Sequence, residues 1–199
     1  VKGVSSLVPT DRRRVRHEAT RQEILDAAWT IVRTEGLAAL TMRGLARVVG
    51  MEPQSLYTYF RSKHDVYDAL FAEGNQVLLD RLHAVDWPDD PRDLLRAVAQ
   101  VMLTFDAEDA ARSQLLFQRT IPDFEPSAAA YALAEEVFAY CGGHLARAGI
   151  TEPADMDLFT ALVAGLGMQQ LANDPGGDRW LRLLDRAIDM YVREVLLPA

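Results

Sequence analysis

Between Leu40 and Lys63 the chain reads LTMRGLARVVGMEPQSLYTYFRSK, and no other stretch restricts the fold as much. Met42, Leu45, Ala46 and Val49 recur at i, i+3, i+4 and i+7, which predicts one apolar face of a helix. Thr41 stands where a side-chain oxygen can cap the free N–H groups of that helix. Gly50 ends it, because glycine takes the left-handed backbone after a helix without steric cost. Pro53 suits the first turn of a new helix, where its missing N–H is not needed. In that second helix Leu56 and Phe60 lie one turn apart and are predicted to point inward. Gln54, Ser55 and Thr58 then share an outward face, flanked by Tyr57 and Tyr59 and free of acids. A short helix held on two apolar anchors and offering such a face fits the DNA major groove.

The flanks continue the pattern. Thr20 to Glu23 is a capping box, and the helix it is predicted to open places Ile24, Leu25, Ala28, Ile31 and Val32 on one face before Glu35-Gly36 closes it. Ser62 to Asp65 is a second capping box, opening a helix to about Leu82 with Val66, Leu70, Val77 and Leu78 as its apolar stripe. Helix-terminal N–H groups beside Lys63 make a natural phosphate site. Residues 1–19 lack periodicity and read as a flexible arm. Its cluster Arg12, Arg13, Arg14 and Arg16 is either a minor-groove contact or a solvated tail.

This segment resembles the N-terminal domain of the TetR family of bacterial transcription regulators. The residues that carry the likeness are Arg21, Ile24, Leu25, Ala27, Ala28, Glu35, Gly36, Thr41, Arg43, Leu45, Ala46, Val49, Gly50, Leu56, Tyr57, Tyr59, Phe60, Ser62 and Lys63. They span roughly residues 18–66, about a quarter of the chain. The resemblance implies that Arg43, Gln54, Ser55, Tyr57 and Thr58 face bases or the groove, and that Thr41, Tyr59 and Lys63 hold phosphates. Glu52-Pro53-Gln54 departs from the commonest turn of the family, where smaller residues are frequent.

A net charge of −8 conflicts at first sight with a DNA-binding surface. Residues 1–64 hold 11 Lys/Arg against 6 Asp/Glu, a surplus of five positive charges, and residues 65–199 hold 10 against 23, a deficit of thirteen. A basic head on an acidic body concentrates positive potential where phosphates would be met. With one cysteine, Cys141, no internal disulfide can form, and Cys141 itself reads as a small buried hydrophobe. The apolar runs are too short to span a bilayer and no signal sequence is visible, so the expected location is the cytoplasm.

After Trp87 to Pro91 the chain reads as helix to its end, at about 91–106, 110–120, 126–148, 154–173 and 178–197, with Gly142-Gly143 a candidate kink. The expected fold class is all-α: an arm (1–19), a three-helix DNA-binding domain (20–66), and a helical effector-binding and dimerisation domain (67–199). Gly165 and Gly167 in helix 154–173 predict close approach of another helix. The apolar band on helix 178–197 is wider than one contact face needs, which predicts a second buried face. The resemblance implies a homodimer through these two helices, with Ala161, Gly165, Trp180, Leu184, Ile188 and Tyr191 at the interface. It also implies a small, largely apolar effector inside the body, with Met102, Phe105, Phe117, Tyr131, Phe138 and Met168 as candidate wall residues. Arg112 or Arg119 is where an anionic effector would be received.

No catalytic constellation is present. His17, His64, His83 and His144 have no paired ligand spacing, and Gly165-Leu166-Gly167 lacks the third glycine of a dinucleotide loop. No cofactor and no metal are expected. The expected function is a sequence-specific transcriptional regulator, a repressor released from a palindromic operator by its effector. The alternative is a helical interaction module whose basic head meets an acidic protein.

Overall fold

The computed structural model describes residues 9–197, with side chains from Arg12 onward. Nine α-helices and two short 3-10 turns make up the regular structure of the described residues, and no strand occurs among them, so the fold is all-α. The helices are α1 (Pro9–Glu35), α2 (Met42–Val49), α3 (Pro53–Leu56), α4 (Lys63–His83), α5 (Pro91–Glu108), α6 (Ala110–Phe117), α7 (Ala128–Arg147), α8 (Pro153–Asn173) and α9 (Leu184–Val195). The described residues form two compact units, one up to residue 70 with 123–125, and one of residues 71–122 with those from 126 onward.

In the N-terminal unit, α1, α2, α3 and the start of α4 enclose Ile24, Leu25, Ala28, Trp29, Leu45, Ala46, Leu56, Phe60, Val66 and Leu70, all buried. The Tyr67 hydroxyl donates to the carbonyl of Leu37 at 2.5 Å, tying α4 to the 3-10 turn that precedes α2. The helix α1 begins at Pro9 and not at the expected cap, Thr20. Residues 9–19 are therefore helical, while residues 1–8 of the expected arm lie outside the described residues. The reason lies in what periodicity reports. Arginine, glutamate and alanine favour helix, and proline is tolerated in a first turn. The side chains from Arg12 to Ala19 are exposed, so the extension buries no stripe for a pattern to reveal.

In the second unit, α5 is the central helix. Leu94, Leu95, Val98, Ala99 and Leu103 pack with Phe159, Val163 and Leu166 of α8 and with Leu184, Ala187, Ile188 and Tyr191 of α9. A smaller cluster joins Leu78, Leu79 and Leu82 of α4 to Phe105 of α5 and Val137 of α7. Arg92–Asp189 (2.6 Å) and Arg96–Asp185 (2.5 Å) bind α5 to α9 at the surface. The expected helix 178–197 is divided into a 3-10 turn at Leu181–Leu183 and α9. Helix α7 runs unbroken through Gly142 and Gly143, the candidate kink.

Candidate nucleic-acid interface

The turn between α2 and α3 is built by local chemistry. Thr41 Oγ1 accepts from the Gly44 N–H at 3.0 Å and caps α2. Gly50 ends α2 at φ 76°, a left-handed conformation that side-chain-bearing residues rarely adopt. Pro53 then occupies the first turn of α3. Leu56 and Phe60 are buried at 0% and 2% exposure, so the segment is pinned from one side and its other side is open.

Gln54, Ser55, Tyr57 and Thr58 are exposed on that open side, and Tyr59 is half-buried. The Thr58 hydroxyl donates to the Ser55 carbonyl at 2.7 Å, which leaves its oxygen as an acceptor toward a ligand. Arg43 on α2 and Lys63 at the start of α4 are exposed as well. The Asp65 N–H donates to Ser62 Oγ at 3.2 Å, and the carboxylate of Asp65 accepts from the Arg61 N–H at 2.9 Å, which fixes the first turn of α4 and with it the base of Lys63. Glu52 precedes α3, is exposed, and makes no capping hydrogen bond. The eight residues expected at a DNA surface thus share one unit, with seven exposed and Tyr59 half-exposed.

Tyr59 has a neighbour that the sequence did not signal. The His17 ring stacks on it with centroids 4.6 Å apart, and one turn further along α1 the Arg21 guanidinium lies 4.9 Å from the Phe60 ring centroid. An i-to-i+4 pair on α1 therefore grips two adjacent aromatic residues that follow α3. Only a helical residue 17 makes this visible.

The residues expected to line an effector pocket do not form one group. Phe105 is fully buried and Met102 half-buried, but Tyr131 and Phe138 of α7 and Met168 of α8 are 47%, 57% and 55% exposed. Helix α8 buries the opposite face, through Val163, Leu166 and Gly167, whereas Tyr131 and Phe138 stand at the edge of the α7 face that buries Ala134 and Val137. Phe117, 39% exposed, meets Phe105 edge-on at 6.4 Å. The guanidinium groups of Arg81 and Arg112 lie 5.4 and 5.6 Å from the Phe105 ring centroid. Arg81 is paired with Glu108 at 2.6 Å and Arg112 with Asp109 at 3.3 Å, so both charges are compensated. Arg119 is exposed. Cys141 is half-buried, and burial pushes its thiol up to about 11, as expected of a small hydrophobe.

The expected interface residues also separate. Leu184, Ile188 and Tyr191 are core residues of the chain itself, exposed by 3%, 0% and 4%, and cannot face a partner. Most of the band of α9 is used inside the chain, against α5 and α8, while Met190 stays 56% exposed, and the Tyr191 hydroxyl donates to the Asp155 carbonyl at 2.7 Å. Trp180 packs against the same core, its backbone N–H donating to Gln170 Oε1 at 2.9 Å. Ala161 and Gly165 are exposed, in one stripe with Leu158 and Met168 of α8. Among the described residues no helix is long and apolar enough to cross a membrane, and no His/Cys/Asp/Glu group is placed to hold a metal ion.

Comparison with known proteins agrees with this geometry. The sequence model of the bacterial regulatory proteins of the tetR family matches residues 24–70. The nucleoid occlusion factor SlmA of Vibrio atlanticus is 31% identical over 98 residues, covering 48% of this chain and 50% of that protein. The chain thus spans about half the length of the curated relative it matches. A tetR-family regulatory protein from Rhodococcus RHA1 shares the fold at a TM-score of 0.64 and 22% identity, over 88% of this chain and 96% of that one. FadR of Bacillus subtilis, solved in complex with stearoyl-CoA, shares it at 0.64 and 17%, over 86% and 97%. With α2, α3 and the capped start of α4 inside the matched residues, the helix-turn-helix segment of this chain is similar to that of the TetR family of bacterial regulatory proteins.

Proposed function

We propose that this chain is a sequence-specific DNA-binding transcriptional regulator. It acts as a homodimer on a palindromic operator and, as a repressor, leaves that operator when a small, largely apolar effector binds its helical body. The observation that carries this reading is the outward face of Gln54, Ser55, Tyr57 and Thr58, held on the buried anchors Leu56 and Phe60 within a matched family domain. Glutamine pairs bidentately with adenine, and serine, threonine and tyrosine supply adaptable donors and acceptors in the groove. Arg43, Thr41, Tyr59 and Lys63 supply the surrounding groove and phosphate contacts.

Dimerisation is assigned to the exposed stripe of α8, Leu158, Ala161, Gly165 and Met168, whose small central residues let a partner helix approach closely. The effector is assigned to the surroundings of Phe105, Phe117 and Met102. The paired acids leave Arg81 and Arg112 without surplus charge, which favours an apolar ligand over an anion. FadR, a protein of the same fold, is solved with stearoyl-CoA, and only the acyl chain of that molecule, apolar where its CoA part is anionic, supports the class of effector assigned here.

The test is selection of duplexes from a random library by the full chain, followed by mobility shift at fixed salt. Enrichment of a palindromic motif is expected. Equal binding to all sequences, together with tight binding to an acidic protein surface, would overturn the reading in favour of an interaction module.

A further inference from the structure

Outside the recognition face, the densest concentration of like charge stands at the start of α1. Arg12, Arg13, Arg14 and Arg16 are all exposed there, and the helix carries them in fixed register. The stack of His17 on Tyr59 and the seat of Arg21 over Phe60 fix the rotation of α1 about its own axis. Residues three and four positions apart share a helix face, so Arg13 and Arg14 continue the line His17–Arg21 toward the segment that follows α3. Arg12 and Arg16 are turned away from His17 by roughly 100–140° at 3.6 residues per turn. Glu18, an acid beside this line, is paired with Arg21 at 3.8 Å. One side of the extension therefore carries two arginines beside a candidate phosphate ligand, Tyr59, and the other side carries the remaining two away from it.

We propose that Arg13 and Arg14 form a second anchor on the DNA backbone, a phosphate-binding ridge that the His17–Tyr59 stack holds in register with the recognition segment. The inference rests on the DNA-binding reading above. Arginine is the residue suited to phosphate, since its planar fork donates two hydrogen bonds to one group. A helical mount holds each fork in place before DNA arrives, so less freedom is lost on contact than with an unstructured arm. The ridge reads no sequence. It adds affinity and fixes the angle at which α3 enters the groove.

The experiment compares two double variants of the full chain with the same change in charge, Arg13→Ala/Arg14→Ala and Arg12→Ala/Arg16→Ala, on a duplex recovered by the wild type from a random library. Alanine keeps the helix, and circular dichroism with thermal melting checks that it does. Loss of the first pair is expected to weaken binding roughly tenfold or more and to lower the slope of log affinity against log salt by about 2 per head, at about 0.9 per phosphate. Loss of the second pair is expected to leave the slope within about 0.5 of wild type. His17→Ala, which removes the stack and keeps all four arginines, is expected to weaken binding in the same direction. Equal losses from the two double variants would reduce the ridge to general charge, and no loss from either would remove it. Recovery of no duplex by the wild type would overturn the DNA-binding reading and the ridge with it.

Discussion

The carboxylate of Asp106 lies against Gly167 so closely that a Cβ on this glycine would come within 2.5 Å of Asp106 Oδ2. Gly167 is thus required by a contact between α5 and α8 inside one chain. At Gly143, mid-helix in α7, nothing beyond the adjoining residues and backbone of its own helix lies within 4 Å of the same position. Gly167→Ala is expected to destabilise the chain by about 1–3 kcal/mol through overpacking. Gly143→Ala is expected to stabilise it by up to about 1 kcal/mol through helix propensity. Thermal and urea unfolding of both variants checks the pair, and stabilisation by both would mean that Asp106 moves aside freely.

Asp106 also makes stability depend on pH. It is buried and accepts a hydrogen bond from Ser113 Oγ at 2.7 Å. Burial raises its pKa above the ordinary 3.8, and the Ser113 hydrogen bond opposes part of that rise. A carboxyl whose pKa is higher when folded binds more protons in the folded state than in the unfolded one. Its contribution is therefore most favourable below the unfolded value and is lost as pH rises through the raised folded value. Asp106→Asn is expected to remove this loss and to raise the melting temperature at neutral pH relative to acid. Melting curves from pH 4 to 7 check it, and parallel curves for both proteins would count against it.

Base and phosphate contacts should separate by mutation. Gln54→Ala is expected to relax preference at one position per half-site, costing about 1–3 kcal/mol there. Lys63→Ala should weaken all sequences alike and reduce the salt slope by about 1. Competition with operator variants at two salt concentrations distinguishes them, and uniform loss from both would defeat the division.

Assembly can be tested at Gly165. It is exposed, and nothing beyond the adjoining residues and backbone of its own helix lies within 4 Å of where a Cβ would stand, so the chain itself has room for a larger side chain. Gly165→Arg is expected to keep the fold, to give a monomer by sedimentation, and to lose tight binding to a palindrome whose half-site centres lie roughly 34–36 Å apart. A wild-type chain that sediments as a monomer at micromolar concentration would remove the dimer from the proposal.

Induction requires reciprocity. An effector bound near Phe105 and Phe117 must lower operator affinity by the factor by which operator lowers effector affinity, roughly 5–150-fold for a coupling of about 1–3 kcal/mol. Long-chain acyl compounds are the first probes. A compound that binds the body and leaves operator affinity unchanged would refute induction by that compound class.

The helix-turn-helix was legible in the sequence because its signals are local. Thr41, Gly50, Pro53 and the Ser62–Asp65 box act within a few residues of themselves, and each performs the expected task. The anchors Leu56 and Phe60 and the outward face between them follow from helical spacing alone. The body was legible as a set of helices, but the partner of each apolar face was not. Periodicity says which side chains share a face; only packing says what covers it. Leu184, Ile188 and Tyr191 thus belong to the chain's own core, and Gly167 serves Asp106 while Gly165, two residues earlier, stands open. Tyr131, Phe138 and Met168 have the size and softness of pocket residues but are exposed: Met168 lies opposite the buried Val163 and Leu166, and Tyr131 and Phe138 stand at the edge of the face that buries Ala134. The start of α1 illustrates the converse. An exposed helix buries no stripe and leaves no pattern, and its register is set by two distant rings, Tyr59 stacked on His17 and Phe60 under Arg21.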